Sequence, residues 1–227
     1  SVWCARPRVP DSVPEIDACG THSSVVIDQR GSVSSILLPV TAGPEEIAHA
    51  VERLTRGGLV AFPTETVYGL GADATDAQAV GRVFAVKGRP PNNPLIVHVS
   101  GIEMAKTVVA EWPPIANRLA VAFWPGPLSL ILPKASHIPG IVTGGGPNVA
   151  VRCPDHATTL SLLFAFGRPL VGPSANPSGR VSPTRAEHVR EAFPPELVDV
   201  LDGGPCRGGI ESTVVSLVGE PTILRPG

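Results

Sequence analysis

Cysteine is scarce and dispersed: Cys4, Cys19, Cys153 and Cys206 form no CxxC pair, so neither a zinc site nor a disulfide framework is indicated. A reducing compartment suits such a chain, and we expect a cytoplasmic protein, with organellar import left open. An excess of positive charge is also missing. With 18 basic against 20 acidic residues, the net charge of −2 argues against broad electrostatic wrapping of nucleic acid. Aromatic residues reach only 4%, which counts against base stacking as a main binding device. No apolar run approaches the ~20 residues that span a bilayer, so no membrane role is expected. HExxH, GxSxG, P-loop and GxGxxG patterns are all absent, which lowers the metallohydrolase, serine-hydrolase and common nucleotide-loop readings. No metal-ligating set is expected.

What is present is a foldable chain of 227 residues, 43% hydrophobic and 17% charged, long enough to bury one sizeable core. The first residue is Ser rather than Met, as in a trimmed product. Residues 1–35 lack sustained periodicity and read as an irregular N-terminal arm; residues 36–227 read as one folded domain. There, a short apolar strand at 36–40 precedes Ile47, Ala50, Val51 and Leu54 at helical spacing. Pro44, Glu45 and Glu46 suit that helix's first turn and Gly57-Gly58 its end. LVAFP reads as a buried strand, and Asp76 as the N-cap of a helix carrying Val80, Val83 and Phe84. The alternation continues through LIVHV, a helix over 115–123, LSLIL, NVAVR, a helix over 158–166, PLVG, a helix from Thr184, VDVL and TVVSL. This predicts an α/β sheet with helical cover and some antiparallel neighbours.

Polar residues crowd the ends of these strands, where open α/β sheets place ligands. FPTETVYGLG, residues 62–71, supplies two hydroxyls, a carboxylate and a phenol before a glycine-limited turn, although capping threonines in a turn give the same composition. KGRPPNNPLIVH, residues 87–98, sets two cations at a helix C-terminus, where they also complement the helix dipole, and then Asn93 and His98. Arg152 ends an apolar strand and needs an anion, either a bound ligand or an internal Asp. PSANPSG, residues 173–179, with Ser182 beyond it, offers hydroxyl and amide groups in a proline-braced loop. Glu211-Ser-Thr-Val-Val and Leu224-Arg-Pro-Gly227 repeat the theme. No segment alone decides function.

Taken in order, FPTETVYGLG, KGRPPNNPLIVH, VAVRCPDH, GPSANPSG, ESTVV and ILRPG resemble the YrdC family of threonylcarbamoyl-adenylate synthases, from about Ile36 to Gly227. The resemblance implies a twisted mixed sheet with helices packed on it and a concave, locally basic cleft. It also implies the conversion of L-threonine, bicarbonate and ATP to threonylcarbamoyl-AMP and pyrophosphate, the first step of a threonylcarbamoyladenosine modification of tRNA. Carried over by position, L-threonine would meet Thr66, His98, Arg152 and Ser212. ATP, with Mg²⁺ on its phosphates, would meet Lys87, Arg89, Asn93, Asn148, Ser174, Asn176, Ser182 and Arg225. Lys87 and Arg89 would be catalytic, offsetting charge in the transition state, and Arg152 would grip the substrate carboxylate bidentately. A tRNA or a tRNA-modifying transferase is the implied partner. The chain departs from the family pattern at Asn148, where Thr is commoner, and at Gly172, where Ala is usual and the change should be tolerated; a second domain of longer members is not expected after Gly227. Two alternatives stand beside this reading: a carbamoyltransferase-type domain, and a non-catalytic RNA-binding module.

Overall fold

The computed structural model describes the backbone of residues 24–27 and 33–36 and all of residues 42–227. The chain divides into two units, residues 1–39 and 40–227. In the first, β1 (Ser24–Ile27) pairs antiparallel with β2 (Val33–Ile36), a paired segment inside the stretch read as an irregular arm. The strand expected over 36–40 lies, after Ile36, outside the described residues.

The second unit begins with α1 (Pro44–Thr55), where the Gly43 amide donates to Glu46 Oε2 at 2.6 Å and Ile47, Ala50 and Leu54 turn inward. Then come β3 (Leu59–Phe62), β4 (Gly69–Asp73) and α2 (Ala77–Lys87). Asp76 caps α2 as expected, its Oδ1 accepting from the Gln78 and Ala79 amides. At the other end Gly88 takes the left-handed conformation, φ 60°, and the Arg89 amide returns to the Phe84 carbonyl at 3.0 Å. This C-cap stops the helix between Lys87 and Arg89 and sends the two cations in different directions. β5 (Ile96–His98), α3 (Ile102–Val108), α4 (Pro114–Phe123), β6 (Leu128–Pro133), a 3₁₀ turn (Gly140–Thr143) and β7 (Asn148–Arg152) follow. α5 (Ala157–Phe166), β8 (Leu170–Val171), α6 (Ala186–Ala192), β9 (Val198–Val200), β10 (Thr213–Ser216) and β11 (Thr222–Arg225) complete the unit.

Nine strands form one mixed sheet in the order β11-β10-β6-β7-β5-β8-β4-β3-β9. The sheet's two faces are not equally covered. On one face Leu59, Ala61, Leu70, Val97, Leu130, Val149, Val151 and Val171 join the larger core with residues of α2, α3, α4 and α6. On the other, a smaller core of Val60, Phe62 and Leu170 is closed by Ile47 and Leu54 of α1 and Leu162, Leu163 and Phe166 of α5. That second cover stops near β8. Beyond it, Ile96, Ala150, Ile131 and Val214 keep partial exposure, and the bare sheet becomes the floor of a cleft.

The glycine-limited turn read in FPTETVYGLG is instead the start of β4, paired antiparallel with β3. Its glycines serve packing: a Cβ at Gly69 or at Gly71 would lie 2.9 Å from the Phe62 ring. Phe62 therefore lies over bare backbone and meets His98 edge-on, with ring centroids 5.3 Å apart.

Candidate functional site

Strand pairing builds the cleft. β5 and β7 run parallel with His98 opposite Arg152 and Ile96 opposite Ala150, so the period of two puts all four on the bare face. Ile131 of β6 faces Ala150 from the other side. The cavity holds ≈ 270 Å³. Its apolar floor ends in polar walls, and Thr66, His98, Arg152, Ser212, Arg89, Asn93, Ser174 and Arg225 all line it. Eight of the expected residues thus converge. Lys87, Asn148, Asn176 and Ser182 do not line it.

The Thr66 wall is held by a relay of hydroxyls. Thr64 Oγ1 accepts from the Thr66 and Val67 amides, donates to the Val67 carbonyl, and lies 2.8 Å from Thr66 Oγ1. Since Thr64 spends its own proton on Val67, Thr66 donates to Thr64 and keeps lone pairs for others; one accepts from Arg152 Nη2 at 3.0 Å. The loop is tied across the cleft by the Gly208 amide to Glu65 O and the Gly209 amide to Thr66 O.

Arg152 is buried, with its Nε donating to the Gly126 carbonyl and its Nη2 2.7 Å from Glu65 Oε1. The internal anion is therefore Glu65 rather than an Asp: nearby Asp155 pairs with Arg207 and gives its amide to Glu65 Oε2. A charge buried this deeply needs such a partner. Because Nε and Nη2 are committed, Nη1 is the nitrogen left to a ligand, and the expected bidentate grip would have to share Nη2.

His98 is buried, and its Nδ1 has no hydrogen-bond partner. Burial, then the Arg152 charge, pushes its pKa down to about 3, so it is a neutral imidazole at physiological pH. It rests on Gly172. A Cβ there would lie 2.6 Å from His98 Nδ1 and 2.7 Å from Phe62 Cζ, so glycine fits this position and an added methyl group has no space. We predict that Gly172→Ala costs about 1–3 kcal/mol through overpacking. Thermal unfolding should show a drop of about 2–4 °C per kcal/mol; an unchanged midpoint would mean that the ring repacks freely.

The other cations are clamped by backbone carbonyls. Lys87 Nζ donates to the carbonyls of Ser174 and Asn176, bracing the PSANPSG loop from behind. Asn176 donates to the carbonyls of Pro177 and Arg180, fixing the rest of that loop. Arg89 clasps its own loop through the carbonyls of Asn93, at 3.2 Å, and Pro94, at 2.9 Å. Arg225 donates twice to the Ser212 carbonyl, while Ser212 Oγ lies 2.9 Å from Ser129 Oγ. Arg225 Nη1 pairs with Glu211, whose other oxygen is 3.5 Å from Ser182 Oγ. Asn148 sits at the outer end of β7, opposite Pro133. Glu65 and Glu211 are the residues that sequence reasoning left without a role; their signal was position, each directly before a hydroxyl residue of a quoted motif.

A mixed sheet with one partly bare face, walled by arginines fixed on carbonyls, defines an α/β domain with a locally cationic cleft. The chain belongs to the Sua5/YciO/YrdC family, whose model, described as telomere recombination, matches residues 52–227. It is 51% identical over 205 residues to the threonylcarbamoyl-AMP synthase of Pyrococcus abyssi, covering 90% of this chain and 58% of that protein. A protein of the same name from Halorhodospira halophila is 37% identical, covering 83% of this chain and 94% of the relative. The crystal structure of P. abyssi Sua5 complexed with L-threonine aligns with TM-score 0.78 at 50% identity, over 80% of this chain and 53% of that one. The chain thus spans about half the length of the P. abyssi protein.

Proposed function

We propose that this domain makes threonylcarbamoyl-AMP and pyrophosphate from L-threonine, bicarbonate and ATP, supplying the activated group for tRNA modification. The observation that carries the reading is the set of three arginines that line one cleft, Arg89, Arg152 and Arg225, each fixed on backbone carbonyls, with Lys87 braced on carbonyls behind them. The names of the P. abyssi and H. halophila relatives support it, as does the threonine in the P. abyssi complex.

In this reading Arg152 Nη1 receives the threonine carboxylate, and Thr66 and Ser212 hydrogen-bond the amino acid. Neutral His98 adds no charge beside Arg152 and offers no competing cation. The free amine of threonine attacks bicarbonate carbon; water leaves, and a carbamate results. A carbamate oxygen then attacks the α-phosphorus in line, forming the C–O–P bond while the bond to pyrophosphate breaks. Two anions must approach, and the fixed charges of Arg89, Arg225 and Lys87 lower that cost without reorganising during the step. Lys87 and Asn176 act from behind the wall, by holding Ser174 in place.

Among the described residues no group of three or more His, Cys, Asp or Glu could hold a metal ion. The cleft carboxylates Glu65 and Glu211 are engaged with arginines. Mg²⁺ therefore belongs to this scheme as part of the nucleotide substrate, neutralising its phosphates. No helix among the described residues is long and apolar enough to cross a membrane. Cys153 and Cys206 are free thiols, suited to a reducing compartment such as the cytoplasm. The product would pass to tRNA through a transferase partner.

Pyrophosphate release from ATP tests the proposal, with threonine and bicarbonate omitted in turn. Release should need both. Turnover indifferent to threonine would overturn the reading.

A further inference from the structure

Arg225 has little to offer an incoming phosphate as it stands. Its Nε and Nη2 donate to Ser212, and its Nη1 is paired with Glu211. Glu211 also faces Ser182 Oγ at 3.5 Å and lines the cavity beside Arg89 and Ser174. One carboxylate thus stands among the groups that the nucleotide reading assigns to phosphate. A fixed negative charge there would repel a triphosphate. The Glu211 pair, however, is open to solvent: its side chains are 39% and 45% exposed, whereas those of the Arg152–Glu65 pair are 5% and 9% exposed. Half-exposed pairs are weak, and a phosphate oxygen makes a stronger partner for a guanidinium than a solvated carboxylate does.

We propose that Glu211 is an exchangeable counter-anion, which holds Arg225 in place in the empty cleft, yields to a nucleotide phosphate on binding, and returns as pyrophosphate leaves. The inference rests on the nucleotide reading above and adds a positioning residue to it. The pair differs from Glu65 in purpose because it differs in burial. Glu65 neutralises a charge that water cannot reach, so it must stay. Glu211 sits where water and ligand both compete, so it can leave. Its negative field also favours the charged forms of Lys87 and Arg89 while the cleft is empty. Exchange gives the enzyme a practical gain. Without it, the cations that assist attack on the α-phosphate would also retain pyrophosphate, and release would limit turnover.

Calorimetric titration of wild type and Glu211→Gln with ATP (with and without Mg²⁺), pyrophosphate and threonine tests the proposal, with turnover measured alongside. Glu103→Gln, at a residue that does not line the cavity, controls for net charge. The variant Glu211→Gln should bind ATP and pyrophosphate about two- to tenfold more tightly, the scale of a half-exposed pair plus one removed repulsion. Threonine affinity should not change, and both KM for ATP and kcat should fall. Equal or weaker ATP binding overturns the proposal, as does weakening confined to the Mg²⁺ titration, which would make Glu211 a metal ligand. Equal tightening in Glu103→Gln overturns it too. A wild type that binds no ATP at all would instead sink the nucleotide reading.

Discussion

Arg152→Ala is expected to abolish threonine saturation and to destabilise the domain at the same time. The guanidinium carries both roles: Nη1 is left for the ligand, while Nη2 both holds Thr66 and balances buried Glu65. Removing one partner of a buried pair typically costs about 3–5 kcal/mol, because the other charge is stranded. Glu65→Gln in the same chain separates the two effects. The double variant should recover much of the thermal midpoint, since no bare carboxylate remains, yet still release pyrophosphate without threonine dependence, if at all. Recovery of threonine saturation in the double variant would show that Arg152 only supports the fold.

Lys87→Ala should lower kcat/KM for ATP by about 10²-fold, the scale of displacing positioned groups by about 1 Å, because its Nζ braces the loop at Ser174 and Asn176 from behind the cleft wall. Acidity supplies a sharper test. Burial, then the neighbouring Arg89 charge, pulls the Lys87 pKa from 10.5 to about 8, and Glu211 opposes the shift. In the free enzyme kcat/KM for ATP should therefore fall as pH rises through about 8, as the ammonium is lost. Stability should move the other way. Between about 8 and 10.5 the unfolded chain holds the proton that the folded one has lost, so the Lys87 contribution to folding improves as pH rises through that window. Lys87→Arg keeps its charge and should remove the alkaline limb; a limb that persists belongs to another group.

Much of this architecture was legible locally. Asp76 announced the start of α2, and the apolar spacing of Ile47, Ala50 and Leu54 announced the inner face of α1. Among the elements that escaped are β4 and α3. β4 is built on Gly69 and Gly71, residues that read as a turn, because the large ring they make room for belongs to Phe62 on the neighbouring strand. The short α3 begins at Gly101, with no side-chain hydrogen bond at its cap.

The cleft residues show the same division. Motif order pointed to Thr66, His98, Arg152 and Ser212, but no local pattern could reveal which atoms would be free. Arg152 and Thr66 lie 86 residues apart in the chain, and Glu65 joins them only because the loop after β3 closes over the end of β7. The resemblance assigned Lys87 and Asn176 to ATP; only packing could show that their donors also meet the backbone carbonyls that shape the PSANPSG loop.

By itself the sequence determined most helices, most strands, and the chemical types brought to the strand ends, because caps and periodicity act within a few residues. The tertiary structure alone decided which face of the sheet stays bare, which arginine holds a permanent or a replaceable partner, and why Gly172 cannot carry a methyl group. Those outcomes depend on register between distant strands and on how far α1 and α5 reach across the sheet, and neither is encoded in any short segment.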